Sequence, residues 1–162
     1  MTAREFFEAV RDASDDYARC ERQLLALRYR AESLGGGTSS GATAGSSHDS
    51  LERRVVVKAD VERALEGRMA CDEALMSMAA SVLFGGEDVD QHDGLSALVP
   101  SFWAEALWWH YLQGLTWSGV ADVLGYSESH LKAVARQALD VVDAYGLASV
   151  ADGMGFAEDS TE

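Results

Sequence analysis

The sequence predicts an all-α protein: a long N-terminal helical hairpin, coiled-coil-like, followed by a small C-terminal helix-turn-helix domain. Three observations predict it. Apolar residues recur at alternating steps of four and three through most of the first 82 positions, the spacing that keeps one face of a helix against a partner. No segment shows the period-two alternation of a half-buried strand. The stretch Trp117 to Arg136 carries the small residue, the glycine and the apolar set required by two helices joined through a sharp turn.

The first helix is read from Phe6, Val10, Ala13, Tyr17, Cys20, Leu24, Leu27, Ala31 and Leu34, all apolar or small. It extends for about 33 residues, roughly 50 Å at the helical rise, and Gly35-Gly36-Gly37 stops it. Residues 35–50, GGGTSSGATAGSSHDS, read as a flexible linker. They are not a phosphate loop, since no Lys-Ser/Thr follows the glycines. Asp49, three residues before Glu52, forms a capping-box pattern for a second helix. That helix repeats the spacing at Val57, Val61, Ala64, Arg68, Cys71, Leu75, Met78 and Val82, with only Arg68 breaking the stripe. The run Val55-Val56-Val57 has strand character, but its charged flanks and the long heptad favour helix. Residues 1–86 thus form a helical hairpin, with intermolecular pairing as the rival arrangement. Residues 87–99 form an acidic, irregular connector, and Pro100 marks the next boundary. Residues 100–146 form the helix-turn-helix domain, opened by an amphipathic helix with Trp103, Leu107, Trp108, Tyr111 and Leu112. Residues 147–162 form an acidic tail. The linker and the last ten residues are expected to be mobile, as neither can bury enough apolar surface to offset its ordering entropy.

Composition narrows the function. The chain has 162 residues, 13 Lys and Arg against 27 Asp and Glu, and a formal charge of −14, with 48% hydrophobic residues. This excludes a polycation that coats nucleic acid by charge alone and disfavours docking on an anionic membrane. No apolar run approaches the roughly 20 residues of a membrane span. Met1 to Val10 lacks the layout of a signal peptide, so a cytoplasmic location is expected. Cys20 and Cys71 both fall in apolar stripes and read as buried free thiols. His48, His92, His110 and His130 are scattered, which argues against a zinc site. Paired carboxylates, a nucleophile elbow and metal-ligand spacing are all lacking, so neither an enzyme nor a cofactor is expected. Asp72 and Glu73, adjacent on a helix, point apart.

The stretch WSGVADVLGYSESHLKAVAR carries the most information. A helix-turn-helix needs a small fifth residue where its helices cross, here Ala121. It prefers glycine at the ninth for a left-handed turn, here Gly125. Its own core needs apolar residues at five further positions, here Val120, Leu124, Tyr126, Leu131 and Val134. Ser127 caps the second helix. The residues facing a DNA groove are then Ser127, Glu128, Ser129, Lys132, Ala133 and Arg136. Glu128 suits cytosine N4, Ser129 a base or a phosphate, and Lys132 and Arg136 a guanine or the backbone. Between Arg68 and Lys132 the chain has no Lys or Arg.

The residues Tyr111-Leu112-Gln113-Gly114-Leu115-Thr116-Trp117, followed by Val120-Ala121 and Leu124-Gly125-Tyr126-Ser127, resemble region 4 of sigma-70-type factors. They resemble still more the phage late-transcription regulators of the RinA and ArpU kind, in which a "GLTW…A…LGYS" core follows a coiled-coil half. The resemblance covers roughly residues 111–145 and departs at Ser118-Gly119, where helix-forming residues are usual. It implies a sequence-specific, DNA-binding transcriptional regulator, phage or prophage derived. DNA and RNA polymerase are the implied partners, and the heptad seams of the N-terminal half add a second copy of the chain. The acidic balance sustains a second reading, a protein-interaction or assembly module, or a small terminase-like subunit, whose helix-turn-helix is a scaffold.

Overall fold

A computed structural model describes residues 1–35, 47–86 and 93–152. The fold is all-α, and no strand occurs among the described residues. Helix α1 spans Ala3–Gly35 and α2 spans Ser47–Phe84. The short α3 (Leu95–Leu98) precedes α4 (Ser101–Leu107), which runs on into one π-helical turn, Trp108–Leu112. Then come α5 (Trp117–Leu124), α6 (Glu128–Tyr145) and α7 (Leu147–Asp152). The expected mobility of the linker and tail concerns mainly residues 36–46 and 153–162, outside the described residues. No described helix is long and apolar enough to cross a membrane.

The chain divides into two compact units, residues 1–15 with 72–162, and residues 16–71. The division crosses both long helices, where the sequence places it between 86 and 100. The reason lies in the core of the first unit. Phe6, Phe7 and Val10 of α1 and Ala79, Val82 and Leu83 of α2 are buried together with Leu95, Ala104, Leu107, Leu139 and Val142. The start of α1 carries a reciprocal capping box that the sequence reading passed over. The Thr2 hydroxyl accepts from the Glu5 amide at 3.2 Å, and the Glu5 carboxylate accepts from the Thr2 amide at 2.7 Å. These bonds hold the Glu5 carboxyl below its usual range. The Ala3 amide donates to Asp143 Oδ1 at 2.6 Å, tying α1 to α6.

In the second unit α1 and α2 run antiparallel within one chain. Cys20 and Leu24 bury against Leu65, with Leu27 and Met69 packed around them. The α1 seam is the expected one: Phe6, Val10, Ala13, Cys20 and Leu24 are buried, and Tyr17, Leu27 and Ala31 half-buried. The α2 seam is so only at its end, where Leu75 is half-buried and Val82 buried. Val57, Val61, Ala64, Arg68, Cys71 and Met78 are exposed. The inward row lies one residue further on, at Lys58, Glu62, Leu65, Met69, Asp72, Met76, Ala79 and Leu83, with the same 4-3 step. Apolar residues are spread around the circumference of α2, so two neighbouring rows compete, and contact with the seam of α1 selects between them. Cys71 is accordingly an exposed free thiol, whereas Cys20 is buried. Arg68, the break in the expected stripe, donates to Asp16 Oδ1 at 2.7 Å.

Two further boundaries move. Helix α2 begins at Ser47, so Asp49 lies inside its first turn. The connector and the tail each contribute a helix to the core, because Leu95 and Val150 are fully buried and the Gly94 amide donates to the Val150 carbonyl at 2.9 Å.

Candidate nucleic-acid interface

The site is assembled by α4, the π-helical turn, α5 and α6. The Thr116 hydroxyl caps α5 by accepting from the Gly119 amide at 3.2 Å. Gly119 is tightly placed: a Cβ there would come within 3.0 Å of Leu115 Cδ2. Helix α5 ends at Gly125 in the left-handed conformation, with φ 73° and its amide bonded to the Ala121 carbonyl. Two residues later Ser127 accepts from the His130 amide at 3.3 Å and starts α6.

The motif's small core is made by Val120 and Leu131, buried with Ala106 of α4. Leu124 and Ala121 pack at its edge, and Val134 is buried. Tyr126 is a correction, being 43% exposed. Its ring stacks on Phe102 at 4.9 Å between centroids, and the His130 ring lies 6.2 Å from Phe102. Phe102 therefore takes from outside the motif the contact expected from its interior. The small Ala106 leaves Val120 and Leu131 to fill the core without the phenol.

Ser127, Glu128, Ser129, Lys132, Ala133 and Arg136 are all exposed on α6. Glu128 and Lys132, one turn apart, form an ion pair with each other. Among the described residues Arg136 has no ion-pair partner.

Behind this face the π-helical turn turns His110 inward, leaving it 7% exposed. Such single π turns are frequent at functional sites. His110 Nδ1 lies 2.8 Å from the Leu115 carbonyl and Nε2 lies 3.0 Å from Arg11 Nη1. A carbonyl only accepts and a guanidinium only donates, so the imidazole is neutral, protonated on Nδ1 and accepting on Nε2. Burial pushes its pKa down. The Leu115 carbonyl works against that shift, and the positive charges of Arg11 and Lys132 add to it. The ring stacks on Trp117 with centroids 3.9 Å apart.

No protein-family model, curated protein or solved structure matches the chain.

Sequence reasoning missed Arg4, Arg11, Phe102 and His110. A signal existed for the first two: they are the only cations before Asp15 and stand seven residues apart, on one helical face. Nothing local marks His110, whose role depends on the π turn. Among the described residues no group of three His, Cys, Asp or Glu side chains could hold a metal ion.

Proposed function

We propose that the chain is a sequence-specific DNA-binding transcriptional regulator that presents α6 to the major groove and pairs with a second copy through its second unit. The observation that carries this reading is the turn from α5 through left-handed Gly125 to the Ser127 cap, with every groove-facing position of α6 exposed. In this reading Ser129 and the free edge of Glu128 meet bases, the Ala133 methyl meets a thymine methyl, and Lys132 and Arg136 meet guanine or the backbone. Lys132 exchanges its pairing with Glu128 for a phosphate.

The second copy is supported by Leu51, Val55, Val56 and Val57, which are 53–66% exposed on one short stretch of α2. Arg53, Arg54 and Lys58 flank them, and the first unit of another copy supplies carboxylates in excess. Selection from a random duplex library at low salt, followed by anisotropy on the enriched sequence, tests the reading. Enrichment of one motif, lost with Ala133→Glu, is the expected result. Failure to enrich any duplex overturns it. The assembly-module reading then takes its place, and the observation in its favour is that the first unit has only four cations against nineteen carboxylates.

A further inference from the structure

The first unit contains four Lys and Arg residues in all: Arg4, Arg11, Lys132 and Arg136. Three of them, Arg4, Lys132 and Arg136, line a single cleft of about 180 Å³ whose other walls are Tyr111, Trp117, Ala135 and Leu139. The fourth, Arg11, is bonded to His110, whose ring stacks on the cleft's Trp117. A net-acidic unit has thus gathered its whole complement of cations around one aromatic-walled concavity. Lys132 is paired with Glu128, whereas Arg4 and Arg136 have no ion-pair partner among the described residues. The positive charges of Arg11 and Lys132 both act on His110, behind the cleft's Trp117.

From this geometry we infer that the cleft is a binding site for a phosphate ester, held by the guanidinium groups of Arg4 and Arg136 and the ammonium of Lys132 against Trp117 and Tyr111. The volume, room for about six waters at liquid density, suits one phosphoryl group with part of a sugar, and it is too small for a folded peptide segment. Guanidinium groups take phosphate oxygens in pairs, and the aromatic walls lower the local dielectric, which strengthens those bonds. The inference deepens the DNA reading and in its nucleic-acid form rests on it. The phosphate is then a backbone phosphate flanking the groove entered by α6, and Arg4 of α1 is a DNA contact that lies outside the helix-turn-helix. A free phosphate ester is the other source of the same chemistry.

The test uses the full chain with two probes, pyrophosphate followed by tryptophan fluorescence and the selected duplex followed by anisotropy. Arg4→Gln and Arg136→Gln remove exposed side chains and should leave helicity and melting temperature unchanged. The expected result is that Arg4→Gln weakens both probes about fivefold to tenfold, the range of a partly solvated charge-assisted bond. It should also lower the salt slope for the duplex by about one, and Arg4→Lys should restore part of the loss. Arg4-dependent binding of pyrophosphate without duplex binding supports the cleft with a free phosphate ester and overturns the DNA reading. Duplex binding that is lost with Ala133→Glu but unchanged in Arg4→Gln overturns the cleft and keeps the DNA reading. Absence of both probes from the wild-type protein overturns both.

Discussion

His110 is neutral because its two neighbours leave no other choice, one accepting and one donating. Protonating Nε2 would set two donors face to face in a buried place. The folded-state pKa lies below the ordinary value of 6.5, so the unfolded chain takes up the proton first as pH falls. The stabilisation from neutral His110 is therefore complete above about pH 6.5 and is lost as pH falls through the folded value. The melting temperature should drop between pH 7.5 and 5.5. In His110→Gln that drop should largely disappear, although the variant is less stable at neutral pH by about 1–3 kcal/mol through the lost ring stack and bonds. Equal pH dependence in both proteins would refute the assignment. Glycines at turns give a second test. Gly94 has φ 81°, and a Cβ there would run into the Gly85 amide nitrogen, whereas Gly125 has φ 73° and open space around it. Gly125→Ala should cost about 1–2 kcal/mol, the strain of the left-handed backbone alone. Gly94→Ala should cost more, since backbone must also move. Urea unfolding of the two variants measures the difference, and similar midpoints would contradict the close approach.

The informative element is α2. Its expected and actual inward rows differ by a single residue, which rotates the helix by about 100°. The shift explains why Cys71 is exposed, why Arg68 is available to Asp16, and why Val57 and Val61 remain at the surface. Leu65→Ala should destabilise the second unit by about 2–4 kcal/mol, as for other buried leucines, and Leu24→Asp, which buries a charge in the same cluster, should cost more. Ala64→Asp, one position away and exposed, should leave circular dichroism melts unchanged. If Ala64→Asp melts early and Leu65→Ala does not, the row first read from the sequence is the true seam. Heptad spacing was visible in both helices. In α1 one row was clearly the most apolar, so its register was legible. In α2 the expected row is the more apolar of the two, since Lys58, Glu62 and Asp72 stand in the actual one, and packing against the partner helix overrode the periodicity.

Across the whole molecule, charge divides unevenly between the two units. The second unit carries nine cations against eight carboxylates and the exposed Leu51, Val55, Val56 and Val57. An exposed apolar cluster of that kind is normally covered. Light scattering should give a dimer mass, and Val56→Glu should give a monomer with unchanged helicity. A wild-type monomer at tens of micromolar would remove this surface from consideration. For DNA, each copy offers only Arg4, Lys132 and Arg136, so the salt slope should be about −3 per copy. A slope several times steeper would require phosphate contacts from Arg53, Arg54 or Lys58 instead.

Elements whose signal is local were legible in the chain. The long α1 follows from the repeat of its own apolar residues, and the Gly125 turn and the Ser127 cap from the chemistry of a few neighbouring residues. The exposure of Ser127, Glu128, Ser129, Lys132, Ala133 and Arg136 also followed, because a helix with one side buried by Leu131 and Val134 must leave the opposite positions outside. Tertiary packing alone decided the register of α2, the recruitment of Leu95 and Val150 into the core, and the replacement of Tyr126 by the pairing of Ala106 with Val120. It also decided that Arg4 stands beside Lys132 and Arg136, residues 128 and 132 positions away along the chain. Periodicity specifies which way a side chain points from its own helix. It carries no information about which distant side chain points back, and the cleft of Arg4, Lys132 and Arg136 is made of such meetings.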